Sequence, residues 1–181
     1  MHVFDTAADA LKFLQTIAPE GATVSSGYST TLHEIGFVDW IKTQTKWTDY
    51  KAQIVAAQGK NDWKTAGELQ KKANVADYWF ASCGAIAETG EINWASFTGF
   101  RVQAAATGNV VFVAGTNKIA ASAAEASARL HEFQVAVESA RVRAVYGAPG
   151  AVAAEEGWIR AGNPLLPGRV HVVLIKGAFG Y

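Results

Sequence analysis

The run Asn109 to Ala114, NVVFVA, constrains this chain most. A strand apolar on both faces must be covered by protein on both faces, which is the signature of a parallel sheet between helices. Its surroundings agree: Gly115-Thr116-Asn117-Lys118 turns the chain, and the alanine-rich residues 121–139 predict a long helix. The same alternation runs elsewhere. Ala10, Leu11, Leu14 and Ile17 recur at helical spacing behind an N-cap at Asp5 or Thr6, and Pro19 ends them. A short strand over 22–26 reaches Gly27, and Leu32, Ile35, Val38 and Ile41 mark a second helix. Residues 45–73 are polar and helix-favouring, anchored by Trp47, Ile54, Trp63 and Leu69, and Gly59-Lys60-Asn61-Asp62 splits them into two helices. Residues 76–82 read as a buried strand, 88–91 as a turn, about 98–106 as a helix, 149–167 as irregular and 169–176 as a final strand. The expected fold is one α/β domain over residues 1–181, a largely parallel sheet flanked by helices.

Charge and composition exclude several classes of function. Lys plus Arg and Asp plus Glu both count 16, so the net charge is zero and no basic stripe invites nucleic acid or an anionic membrane. One cysteine, Cys83, rules out an internal disulfide and any multi-cysteine metal or iron–sulfur site. The histidines, His2, His33, His131 and His171, share no metal-ligand spacing, so no metal or cofactor is expected. No apolar run approaches the roughly 20 residues that span a bilayer. Residues 1–10 lack a basic stretch followed by an apolar one, so the expected location is cytoplasmic.

In sheets of this kind ligands sit beyond the carboxyl ends of the strands, which narrows the search to three loops. In the first, Ser29, Thr30 and Thr31 offer hydroxyls and backbone N–H groups to an anion. Ordinary N-capping by Ser29 or Thr30 explains those residues equally well, and no Gly-Lys-Ser/Thr triplet follows to make a P-loop. The second, 82–101, gathers Glu88, Glu91, Asn93, Ser96, Thr98 and Arg101. A solvated hairpin turn accounts for the two glutamates, and Cys83 reads first as a small buried hydrophobe. In the third, Asn117 and Lys118 suit a carboxylate, a phosphate or a carbonyl oxygen; a turn with Lys118 in water is the plain alternative.

Several blocks then carry a family resemblance. Ser29-Thr30-Thr31-Leu32-His33-Glu34-Ile35-Gly36 resembles the Gly-Ser-x-Thr-Leu-x-Glu-Ile-Gly signature of the lactate-utilisation (LUD) domain. Ala76-Asp77-Tyr78-Trp79-Phe80 with Ala85-Ile86-Ala87-Glu88-Thr89-Gly90 resembles its Ala-Asp-x-Phe and Ala-Ile-x-Glu-x-Gly. Thr98-Gly99-Phe100-Arg101-Val102, Gly115-Thr116-Asn117-Lys118-Ile119 and the closing Arg169 to Ile175 resemble three further family blocks, in order. The resemblance implies the three-layer sandwich of ribose-5-phosphate isomerase, glucosamine-6-phosphate deaminase and coenzyme A transferases. It also implies a cluster-free component of lactate oxidation similar to lactate utilisation protein C, with iron–sulfur subunits as partners. Related sugar isomerases place an acid near Gly84, so isomerisation by that acid is not expected here.

The resulting expectation is a protein that binds a small organic acid or its activated form. Ser29, Thr30 and Thr31 would hold the anionic group, Lys118 and Arg101 neutralise charge, and Asn117 orient an oxygen. If chemistry occurs it is acid/base work by Glu88 and Lys118, without metal or redox cofactor. Two other readings stand beside it: a hydrolase, isomerase or transferase of the same fold, and a docking subunit of a redox complex using Trp40, Trp47 and Trp63. Exposed tryptophans would favour docking and buried ones would count against it. Oligomeric state is left open, as is whether the 45–73 insert covers the site.

Overall fold

The computed structural model describes residues 1–96, 103–150, 155–162, 164–165 and 167–181. In chain order the strands are β1 (His2–Phe4), β2 (Thr23–Ser26), β3 (Thr48–Asp49), β4 (Tyr78–Ala81), β5 (Ala85–Ala87), β6 (Ile92–Ser96), β7 (Asn109–Gly115), β8 (Ile119–Ala120), β9 (Glu155–Ile159) and β10 (Val170–Ile175). The helices are α1 (Ala7–Leu14), α2 (Thr30–Glu34), α3 (Phe37–Thr43), α4 (Tyr50–Gly59), α5 (Trp63–Ala73), α6 (Gln103–Ala106), α7 (Ala123–Ala128) and α8 (Val135–Tyr146). A π-helical turn, Arg129–Gln134, joins α7 to α8.

Six strands form one wholly parallel sheet in the order β1-β10-β7-β4-β2-β3. The NVVFVA strand lies inside it, between β10 and β4, with Val110 to Ala114 buried. Its side chains serve two cores, as the period of two requires. Val111 and Val113 pack with Leu14, Leu32, Phe37 and Phe80 on one face. Val110, Phe112 and Ala114 pack with Trp79, Ile92 and Leu174 on the other. The expected α/β fold with helices about a parallel sheet is what the chain adopts.

The helices form for local reasons. Thr6, Ser29, Asp49, Asp62 and Ser122 each accept a backbone N–H in the first turn of the helix that follows. Asn61, at φ 57, makes the left-handed bend between α4 and α5, within the Gly59 to Asp62 break expected from sequence. Gly147, at φ 64, ends α8.

The sequence reading does not include the edge strands β1 and β3, and three larger features also depart from it. A second sheet, β8-β5-β6-β9, mixes parallel and antiparallel pairs and sits beside the first. The stretch expected to be irregular contains β9, paired along β6. The helix expected over 98–106 is seen only as α6, and its earlier part, with Arg101, lies outside the described residues.

Candidate functional site

Four parallel strands end at one place, and each delivers polar side chains there. The loop after β2 brings Tyr28, Ser29, Thr30 and Thr31; Ser82 follows β4, Lys118 follows β7, and Tyr181 lies beyond β10. The π-helical turn and α8 add Gln134 and Glu138. Together these line a cleft of about 40 Å³, enough for a few non-hydrogen atoms, since one water needs roughly 10–15 Å³ by the same measure.

Lys118 lies at its base, 2% exposed. A single 3₁₀ turn, Thr116–Lys118, swings the side chain back under the sheet ends instead of into solvent. Its ammonium donates to Ser82 Oγ at 2.9 Å, the Cys83 carbonyl at 3.3 Å and Thr31 Oγ1 at 3.4 Å. Thr31 is fully buried; its hydroxyl donates to the Phe179 carbonyl at 3.1 Å, and its Oγ1 lies 3.2 Å from Ser82 Oγ. Burying a cation costs several kcal/mol unless oxygen ligands surround it, which gives this polar cluster its shape.

The opposite wall is acidic but neutralised. Arg141, one turn along α8, grips both oxygens of Glu138 through Nε at 2.7 Å and Nη2 at 2.6 Å. That carboxylate holds the guanidinium charged, raising its pKa above the ordinary arginine value. The Tyr181 hydroxyl also donates to Glu138. Burial first, and then this bond, push the phenol's pKa up, so Tyr181 stays protonated at neutral pH. Arg141 stacks over Tyr28, with 4.4 Å to the ring centroid, and Tyr28, 47% exposed, stands at the mouth. Lys118, Arg141 and Glu138 sum to one positive charge. Gln134 is also a lining residue, and its Oε1 is buried beside Gly84 without a hydrogen-bond donor among the described residues.

A strap crosses the site. After β10, Gly177 and Thr116 bond reciprocally, through N–H to Oγ1 at 3.0 Å and Oγ1 to carbonyl at 3.2 Å. Asn117 accepts from Phe179 N at 3.2 Å and donates to Gly180 O at 3.0 Å. Gly180 N donates to Glu34 Oε2 at 2.6 Å. Only glycine fits here: φ is 62°, and a Cβ would lie 2.4 Å from Thr31 Oγ1 and 3.3 Å from Lys118 Nζ.

The residues named from sequence thus have different fates. Ser29, Thr30, Thr31 and Lys118 come together. Ser29 also caps α2 through Leu32 N at 3.2 Å, so the capping role and the cleft role coexist. Asn117 is exposed and holds the strap; it does not line the cleft. Glu88 is exposed in the turn between β5 and β6, on the second sheet, and is not a lining residue. Arg101 lies outside the described residues. Sequence reasoning did not select Tyr28, Ser82, Gln134, Glu138 or Tyr181. No residue of the 45–73 insert lines the cleft; α4 and α5 pack on each other through Ile54, Ala57, Ala66 and Ala73. Trp47 is buried, Trp40 is half-buried against it at 5.1 Å between rings, and Trp63 is 64% exposed. Among the described residues no three His, Cys, Asp or Glu side chains gather as metal ligands, and no helix is long and apolar enough to cross a membrane.

An α/β chain with a polar, lysine-based cleft where its parallel strands end is a common design for small-molecule proteins. Comparison with known families narrows the class: the sequence profile of the LUD domain matches residues 1–175. The chain belongs to the LUD domain family, which makes it a lactate-utilisation-related protein at family level. No curated relative matches it.

Proposed function

We propose that this LUD protein binds a small organic acid, or its activated form, in the cleft above Lys118. The observation that carries the reading is the buried lysine among the hydroxyls of Thr31 and Ser82, where the ends of β2, β4, β7 and β10 meet. The three named charges sum to plus one, and the space suits a few atoms. Ser29, Thr30 and Thr31 would face the anionic group and Lys118 would neutralise it. Arg101 would add a further cation, and Asn117 would fix the strap. Acid/base chemistry, if the site performs any, falls to Lys118 rather than Glu88. The location is cytoplasmic, and iron–sulfur subunits of a lactate-oxidising complex are the partners that the family implies. Docking through the tryptophans is less well supported, since of the three only Trp63 is strongly exposed.

The test is a thermal-shift screen against small carboxylates, sugar phosphates and acyl thioesters. A ligand at a hundred times its dissociation constant adds about 2.7 kcal/mol to stability. A hydrogen bond to a charged group is worth about 1.5–3 kcal/mol, so Lys118→Ala should weaken a hit by roughly tenfold to a hundredfold. No hit in any class, or a hit indifferent to Lys118→Ala, would overturn the reading.

A further inference from the structure

Ser82 has features that simple anion binding does not require. Its Oγ lies 2.9 Å from Lys118 Nζ and 3.2 Å from Thr31 Oγ1, it lines the cleft, and it follows β4 in the middle of the parallel sheet. A serine within hydrogen-bond reach of a buried lysine, with the lysine oriented by further groups, is the arrangement of a nucleophile and its base. The orienting groups are present: Nζ is held by the Cys83 carbonyl and by Thr31 Oγ1, and Thr31 is held by the Phe179 carbonyl. In its ammonium form Lys118 donates to Ser82; in its neutral form the same line carries the serine proton to Nζ.

We infer that Ser82 is a nucleophile and Lys118 its general base in acyl transfer from a small activated carboxylic ester to water. The inference rests on the proposed acid-binding cleft, because the acid bound there is the product of this reaction. Ser82 Oγ attacks the ester carbonyl carbon and its proton passes to Lys118 Nζ. The bond from that carbon to the leaving alcohol's oxygen breaks, and Nζ returns the proton to that oxygen. Water then attacks the acyl-Ser82 ester and gives its proton to Nζ. The bond to Oγ breaks, Oγ regains a proton, and the free acid leaves. The Thr31 hydroxyl stays bound to the Phe179 carbonyl and keeps Lys118 Nζ aligned on Ser82 through both steps. The cleft's size limits the acyl part to a few atoms, and the leaving group exits past Tyr28.

The experiment uses the whole chain and p-nitrophenyl acetate. The expected result is a burst of p-nitrophenolate, with one acetyl group on the peptide that contains Ser82. Ser82→Ala should form no adduct, and Ser82→Ala and Lys118→Met should each slow release by about a hundredfold or more. Acetyl on Lys118 or Cys83 instead, or full activity in Ser82→Ala, would overturn the assignment. Calorimetric titration of acetate into the same proteins separates the two readings. Acetate bound by the wild type without any Ser82 adduct overturns the nucleophile and leaves the binding site standing. Neither binding nor adduct overturns both, and an adduct on Ser82 supports the dyad whatever the affinity for acetate.

Discussion

Glu138 shows how much a single residue's context decides. In the sequence it is one acid on an alanine-rich helix, with Arg141 three residues on, the same spacing as the exposed pair Asp9 and Lys12. A surface pair like that one contributes little. Glu138, 7% exposed and gripped by Arg141 and Tyr181, forms a wall of the cleft. Replacing it by Gln leaves the guanidinium half-buried without its carboxylate, and a loss of about 3 kcal/mol is expected in chemical denaturation. Gly180→Ala should instead spare global stability and displace the strap, because its Cβ would meet Thr31 and Lys118. Loss of Phe179 and Gly180 amide protection, without a fall in the global midpoint, is the expected result. Ser29, Thr30, Thr31 and Lys118 were legible because hydroxyls and a lysine just after apolar strands are conspicuous in a sequence. Ser82 carries the same signal, a hydroxyl just after an apolar strand, but was passed over; Gln134, Glu138 and Tyr181 were not legible, because nothing local separates a buried polar residue from a solvated one.

At the scale of elements, strength of pattern tracks what could be read. β7 has seven residues and β10 six, long enough for a continuous apolar run to stand out. β5 has three and β8 two, and β9 is built from Glu155-Glu156-Gly157-Trp158-Ile159 with glycine at its centre. Gly157 is there for space, since a Cβ would fall 2.1 Å from the Trp94 ring across the strand pair, a contact no local pattern announces. The second sheet therefore arises from tertiary pairing. The π-helical turn belongs to the same category; such turns occur often at functional sites, and this one ends at Gln134 in the cleft wall. The strap is the element most open to test. Asn117→Ala removes two of its hydrogen bonds, worth about 1 kcal/mol each. Amide exchange at Phe179 should quicken by roughly tenfold or more, while β7 and β10 amides keep the global rate.

Across the whole molecule, the parallel sheet both makes the core and gathers the site, so stability and function divide along the strands. Residues near the middle of β7 support the fold: Phe112→Ala should cost about 3–5 kcal/mol with the cleft chemistry intact in the folded fraction. The acid limb of stability belongs to a different edge. Burial, and then the neighbouring charge of His2, hold the His171 pKa below 6.5. The unfolded chain therefore binds the proton first as pH falls, and stability declines below about pH 6.5 through the lower folded value. His171→Gln should flatten that limb in denaturation measured between pH 7.5 and about 5. The central claim, that these strand ends converge on an acid-binding cleft built on Lys118, is tested most directly by calorimetric titration. The strongest carboxylate hit would be titrated into the wild type, Lys118→Ala and Glu88→Ala. Binding kept by Glu88→Ala and lost by at least roughly tenfold in Lys118→Ala is the predicted result. Binding kept by Lys118→Ala and lost in Glu88→Ala would contradict it and move the site to the second sheet.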